Sequence, residues 1–476
     1  MAAPILRMES RERYLAARVL DALLREDYGR ISRRVTRCRE GVAVELAGGR
    51  RVRLQAGGLF QDFTVAPGEP LSLSEVLATL REVADPADAA GVAAFADECH
   101  DALTALELYD HHRPRIRERL PARGALRYDI LAAGLDHPVY PTARARIGLS
   151  EAELAAYAPE FAPRFELCWV TVPAERCVRA GGELPEWWPR GPEGRIPFPV
   201  HPLTMPQVTA IPGVEPAAPY LTVRPTLSMR TVAVDERTHL KLPLATSTLG
   251  LRNRRSIRPQ TLADGARAER LLRAILEREP DARVLVADEQ TYGHAGHEYL
   301  GWMLRRYPEG EPVTVAALPA TVDNRPVLHE LAARYRGGDV EGLLAEYLQV
   351  LLRWHVRLFV RYGVALEAHQ QNLALVFDGD RPLRLLVKDN DGLLCSPDRL
   401  RAAGLEVPDF ADERMVTDDP HALADVFVTI TLHLAAAAVA FGVGAGHLVA
   451  PALAEALAEH GDHPMARLLR ARTLDA

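Results

Sequence analysis

Two apolar, β-prone runs, 373–377 and 383–387, flank the turn-rich segment Asp378-Gly379-Asp380-Arg381-Pro382. Asp, Gly and Pro supply turn geometry, and Leu and Val suit paired strands, so the pattern predicts a β-hairpin. A hairpin puts Asn372 at the start of one strand and Asp389 just past the end of the other, where antiparallel pairing brings them together. Glu367-Ala368-His369-Gln370-Gln371-Asn372 leads into the first strand, and Lys388-Asp389-Asn390-Asp391-Gly392 follows the second. Oxygen ligands beside a His and amide donors are what a magnesium–nucleotide site requires. Glu367, Asp389 and Asn372 are the candidate metal ligands. The bland alternative is a polar surface hairpin.

With 476 residues the chain is long enough for two to four domains. A quarter of the residues are charged and nearly half apolar, as in a soluble globular protein. The net charge of −7 gives no basic footprint for nucleic acid. Cys38, Cys99, Cys168, Cys177 and Cys395 are scattered without CxxC spacing. That fits a reducing cytoplasm better than a disulfide scaffold or zinc site. Residues 1–27 are charged and helical, without the apolar core of a signal peptide. The longest apolar run, 426–443, holds His433, many alanines and Gly442. It reads as a buried helix, too weak for a membrane span. The expectation is a cytoplasmic protein with neither membrane nor nucleic-acid partner.

Leu15, Val19, Leu20, Leu23 and Leu24 recur at helical spacing. Residues 42–46 and 52–54 form a second predicted hairpin around Gly48-Gly49. Helix is expected over 72–120 with a restart at Asp85-Pro86. The proline- and aromatic-rich stretch 159–225 is loop and strand. Strands are expected at 221–223, 230–234, 240–242 and 282–287, and helices at 265–278, 340–362 and from 420 onward. The class is α+β. The expected divisions are an N-terminal helical domain at 1–160, a strand-rich domain at 161–315 and a C-terminal domain at 316–476.

Further motifs carry charge. In Pro225-Thr226-Leu227-Ser228-Met229-Arg230-Thr231, a strand would point Ser228 and Arg230 to one face, joined by Lys241 from a neighbour. Arg offers a planar fork to phosphate or carboxylate, Lys a point charge. Arg252, Arg254, Arg255 and Arg258 form a basic run, with hydroxyls at Thr246, Ser247 and Thr248 upstream. It is either a solvated face or a clamp for a polyanion. His137-Pro138-Val139-Tyr140-Pro141, with Arg144 and Arg146, is an extended loop. Gly442-Val443-Gly444-Ala445-Gly446 follows a helix-like run, which argues against a dinucleotide fingerprint.

Taken in order, these motifs resemble the aerobactin-synthetase-type family, the NRPS-independent siderophore synthetases. The resemblance rests on His137-Pro138, Pro199-Val200-His201-Pro202, residues 225–231, His239 to Leu242, Glu367 to Asn372 and Lys388 to Gly392. It implies a hand-like fold of thumb, fingers and palm, with antiparallel sheets and a helical C-terminal part. It also implies ATP and Mg2+ as cofactors, a polycarboxylate substrate such as citrate, an amine or hydroxyl nucleophile, release of AMP and pyrophosphate, and a homodimer. By the resemblance, Ser228, Arg230, Thr231 and Lys241 bind phosphates, and Glu367 and Asp389 hold magnesium. Gln371 and Asn372 stand near nucleotide or metal, and His137 joins the nucleotide side. His369 and Arg255 meet the substrate carboxylate, with Arg252 an alternative to Arg255. Thr248 and Arg467 complete the substrate set, Arg467 standing beside the position of the family's late Lys. His369, Arg255, Lys241 and Arg230 are the expected catalytic residues. Tyr140, Arg144 and Lys388 depart from the family's His, Lys and Arg, and Ala466 from its late Lys. The other reading is a kinase-like small-molecule phosphotransferase, because Asn followed by Asp-x-x-Gly also describes a kinase metal site.

Overall fold

The computed structural model describes residues 10–475 apart from 40, 58–60 and 380. They fall into two compact units. The first is assembled from Met1–Arg115, Asp136–Leu154 and Thr246–Arg254. The second comprises Ile116–Leu135, Ala155–Ala245 and Arg255–Ala476.

The first unit is a helical layer on a four-stranded antiparallel meander. The helix Arg11–Arg25 begins at Ser10, whose side chain accepts from the Arg13 N–H, and it buries Leu15, Val19, Leu20 and Leu23 along one stripe. Residues 1–9 of the expected N-terminal helix lie outside the described residues. The meander runs Val35–Cys38, Gly41–Glu45, Arg51–Ala56 and Phe63–Val65. The predicted hairpin is there, with Val42 opposite Leu54 and Val44 opposite Val52. A reciprocal capping box between Ser72 and Glu75 starts the helix Leu73–Val83. Pro86 restarts the chain in a short 3-10 turn before the helix Ala89–Arg119, whose part up to Arg115 belongs here.

The second unit holds the larger sheets. A seven-stranded antiparallel sheet runs in the order Phe165–Glu166, Thr222–Pro225, Thr231–Ala233, Thr238–Lys241, Leu300–Arg306, Asp288–His297, Val178–Ala180. Its longest hairpin, 288–306, is absent from the sequence reading. A three-stranded sheet, Arg195–Val200, Cys168–Pro173 and Glu215–Ala217, shares one apolar core with it. Trp188 bridges Trp169 and Trp302 there, with ring centroids 5.2 and 4.6 Å apart.

The third sheet carries the hairpin that dominates the sequence. Leu373–Phe377 pairs antiparallel with Arg384–Val387, Leu373 opposite Val387 and Leu375 opposite Leu385. Asp380 of the turn lies outside the described residues. Glu311–Thr314 flanks the first strand antiparallel, and Val284–Val286 flanks the second in parallel. All five residues of Leu373–Phe377 are buried, which is why the run is uniformly apolar instead of alternating. The helix Val340–Arg357 and the segment Pro420–Gly442 belong to the helical C-terminal part. Pro420–Gly442 is long and apolar enough to cross a membrane by length and composition, against the expectation that it was too weak. It is packed against its own unit: Phe427, Leu432 and Ala435 are buried, and the Tyr347 hydroxyl donates to the Ala435 carbonyl at 2.9 Å.

Candidate active site

Residues 226–230 form a tight turn between the strands Thr222–Pro225 and Thr231–Ala233. This corrects the expectation that Ser228 and Arg230 alternate along a strand. The Thr226 amide and hydroxyl both donate to the Thr231 carbonyl, at 2.8 and 2.9 Å, and close the loop. The Ser228 hydroxyl accepts from the Thr231 N–H at 3.1 Å, and Met229 takes a left-handed φ of 63°. Side-chain closure of this kind competes with strand pairing. Arg230 leaves the turn with its guanidinium on the Ser256 carbonyl at 3.0 Å and the Arg255 carbonyl at 3.4 Å. The buried Asp129 carboxylate accepts the Leu227 N–H from the helix Ala125–Ala133.

Thr231 stands opposite Lys241 in register. The buried Lys241 ammonium bonds the Asp389 carboxylate and lies 3.4 Å from Asp391. Arg305, on the strand Leu300–Arg306, bonds Glu289 across the hairpin and reaches Asp389 at 3.5 Å. Glu289 in turn accepts the backbone N–H of Asp389, at 3.0 and 3.2 Å to its two oxygens. Asp389 has a left-handed φ of 62°, a conformation that Asp tolerates better than most residues. Burial pushes the Asp389 carboxyl up, but Lys241, Arg305 and Arg230 outweigh it and hold the group well below its ordinary range. Glu289 moves the other way: burial raises it, with Asp389 adding to the rise and Arg305 opposing it.

The other wall comes from the approach to the first hairpin strand. The His369 carbonyl accepts the Asn372 N–H at 2.9 Å, and its Nδ1 accepts the Gln371 N–H at 3.2 Å. The Asn372 amide donates to the Glu367 carbonyl at 3.0 Å, and its own carbonyl accepts the Lys388 N–H at 3.1 Å. That last bond joins the two ends of the hairpin. Burial lowers His369 to about 4, so the ring is neutral near pH 7. With Nδ1 accepting, the remaining proton sits on Nε2, which is left as a donor. Glu367 Oε2 packs on Gly392, where an added Cβ would lie 2.2 Å away, so any larger residue there would displace that carboxylate. Burial, Asp391 and Asp389 push the Glu367 carboxyl above its ordinary value. Glu367 is an exposed side chain, so water relieves part of the burial, and the direction is what matters.

Among the described residues no three His, Cys, Asp or Glu side chains form a ready-made metal cage. The donor set nevertheless fits magnesium, which keeps waters and substrate oxygens as most of its ligands. The carboxylates of Glu367, Asp389 and Asp391 crowd one another enough to raise Glu367, and a dication relieves that excess. Next to Asp389, the buried Asn390 Nδ2 has no hydrogen-bond partner.

The other expected residues are placed as follows. Arg255 is half-buried in this second unit. Arg252, exposed, and Thr248, half-buried, belong to the first unit, as does His137. His137 Nδ1 accepts the Val139 and Tyr140 amides at 3.2 and 3.0 Å and so shapes its own loop. Arg467 lies on the exposed face of the helix Pro464–Ala471, beside the buried Ala466. Sequence reasoning missed Glu289, Arg305 and Asp129. The one signal for Arg305 is the alternation of Leu300, Trp302 and Leu304 just before it.

Residues 131–320 match the IucA / IucC family, and residues 343–470 match the family described as ferric iron reductase FhuF-like transporter. Aerobactin synthase of Escherichia coli is 25% identical over 383 residues, covering 68% of this chain and 65% of the relative. The uncharacterized protein y4xN of Sinorhizobium fredii is 30% identical over 325 residues, 55% of this chain and 50% of the relative. The chain thus spans between half and two thirds of these relatives. Among solved structures, aerobactin synthetase IucC of Klebsiella pneumoniae superposes with a TM-score of 0.75 at 21% identity, covering 97% of this chain and 93% of that one. The petrobactin biosynthesis protein AsbB of Bacillus anthracis gives 0.76 at 16% identity, with 97% and 91% covered. ATP-bound aerobactin synthetase IucA of Klebsiella pneumoniae gives 0.74 at 18%, with 96% and 93% covered. These likenesses establish the fold.

Proposed function

We propose that the chain, whose residues 131–320 match the IucA / IucC family, is an NRPS-independent siderophore synthetase that activates a polycarboxylic acid with ATP and joins it to an amine or hydroxyl. The observation that carries this reading is the meeting, within one unit, of the Lys241–Asp389–Arg305–Glu289 cluster with the Glu367–Asn372 approach. The relatives' names, aerobactin, staphyloferrin B and petrobactin, point to siderophore biosynthesis as the setting.

The chemistry follows from a carboxylate being a poor electrophile. One carboxylate oxygen attacks the α-phosphorus of ATP, the bond to the bridging oxygen of pyrophosphate breaks, and an acyl adenylate forms. The nucleophile's N or O then attacks the acyl carbon, and AMP leaves with the former acyl–phosphate oxygen. The nucleophile's proton passes to solvent or a nearby base. Arg230, Ser228, Thr231 and Lys241 are the phosphate-facing groups, and Gln371 supplies an amide. Incoming phosphates compete with Asp389 for Lys241, which frees that carboxylate. Glu367, Asp389 and Asn372 would hold a magnesium ion, which would supply positive charge against the phosphates. His369, neutral, donates from Nε2 to the substrate carboxylate. Arg255 anchors a second carboxylate, with Arg467 as an outer member of the set. The three-part hand with bounds 1–160, 161–315 and 316–476, a homodimer and a cytoplasmic location complete the reading.

The test is incubation with MgATP, a panel of di- and tricarboxylates, and candidate amines. Acid-dependent release of pyrophosphate and AMP is the expected result. ADP would favour the phosphotransferase reading, and activation of a monocarboxylic acid as readily as any polycarboxylate would remove the anchoring arginine.

A further inference from the structure

The strands Thr222–Pro225 and Thr231–Ala233 have two ends. The turn 226–230 closes one. The other end opens on a cavity of about 310 Å³ that lies wholly in the second unit. That volume is at the lower edge of ordinary ligand sites, about 300–1,000 Å³.

Three arginines line it: Arg123, Arg164 and Arg224. Among the described residues, none of the three forms an ion pair with a carboxylate. Arg224 stands opposite Ala233 in register and donates from Nη2 to the Arg119 carbonyl at 3.1 Å. Its Nε is buried and bonds nothing. Burial and the like charge of Arg164 both push the Arg224 guanidinium down from its ordinary value. Two acids share the lining. Asp235 directs an oxygen to the Arg237 and Thr238 amides, at 2.8 and 2.7 Å, and so belongs to its own turn. Glu236 is exposed. His239, at the inner wall, is held neutral by burial and by Lys388 and Arg305. The helix Ala125–Ala133 also begins at this cavity, at Gly124, without a side-chain cap. Its first amides add to the positive lining.

We propose that this cavity binds a small polyanion bearing carboxylate or phosphate groups, at a site separate from the ion cluster around Lys241. Forked guanidinium donors around a half-enclosed space match either group bidentately. The site does not depend on the catalytic reading above.

The experiment is calorimetric titration of the full chain at constant ionic strength with citrate and, separately, with inorganic pyrophosphate. Wild type is compared with Arg164→Glu and Arg224→Gln, and each is also titrated with MgATP. At least one probe should bind about tenfold or more weakly to both variants, while ATP affinity stays within about twofold. A loss confined to citrate identifies a polycarboxylate site, and one confined to pyrophosphate a phosphate site. Arg164 is exposed, so its variant stays folded and decides the matter if Arg224→Gln does not. Unchanged isotherms for both probes in Arg164→Glu overturn the proposal. An equal loss of ATP affinity overturns the separateness of the site. Absence of any ATP-dependent activity bears on the catalytic reading and leaves these isotherms interpretable.

Discussion

Asp389 is the counter-ion of two buried cations, Lys241 and Arg305, before any metal reaches it. As a metal ligand alone, Asp389 could be replaced by Ala with loss of turnover and no loss of fold. The structure adds a cost. Removing one member of a buried ion group strands the others, at about 3–5 kcal/mol. Asp389→Ala should therefore lower the melting temperature as well as abolish pyrophosphate release, and a folded variant with full activity would remove the metal-site reading. The pH dependence has a definite sign. Because the folded carboxyl sits well below its unfolded value, its stabilisation is present above the ordinary carboxylate range and is lost as pH falls through the folded value. Denaturant midpoints should thus fall more between pH 7 and pH 3 in wild type than in Asp389→Asn. Arg230 offers a cleaner probe of binding. Its Nη1 serves both the Ser256 and the Arg255 carbonyl, so Nη2 and Nε remain for a second contact that the point charge of Lys does not copy. Arg230→Lys should weaken ATP binding by about tenfold or more, measured by titration. An unchanged affinity places Arg230 outside the site.

At the scale of elements, legibility followed the apolar pattern. The hairpin at 373–387 could be read because its buried positions, 373–377 and 385–387, are all apolar, with the charged Arg384 half-buried at the strand end. The hairpin at 288–306 could not. Its first strand, Asp288–His297, contains Gly293, Gly296, two histidines and the buried Glu289, whose partners are Arg305 on the paired strand and the distant Asp389 backbone N–H. Such complementarity exists only after pairing. Alternation also misled at 226–230, where the Thr226 and Ser228 hydroxyls, not strand neighbours, take up the backbone groups. Asp129 holds that turn from a different helix. Asp129→Asn keeps an oxygen for the Leu227 amide but removes the ionisable carboxyl, pushed up by burial, that faces Lys388 and Arg305. It should raise the Michaelis constant for ATP several-fold with a smaller effect on that for the acid. Equal effects on both would mark Asp129 as generally structural.

At the scale of the whole molecule, the basic run is shared: Arg252 and Arg254 belong to the first unit, Arg255 and Arg258 to the second. If Arg255 anchors the acid, Arg255→Ala should raise the Michaelis constant for the acid far more than that for ATP, as steady-state kinetics with both substrates varied will show. The division into units also governs the order of events at birth. The first unit needs Thr246–Arg254, whose Thr246 hydroxyl donates to the Ile147 carbonyl at 2.8 Å and whose Ser247 carbonyl accepts the Ile147 N–H at 3.2 Å. A ribosome making this chain from its N-terminus delivers the helix and meander first, then about 130 residues that mostly belong elsewhere. At typical synthesis rates that interval lasts roughly 7–25 s. Through it the nascent first unit waits, unfinished, for a nine-residue segment that emerges only after the first strands of its neighbour.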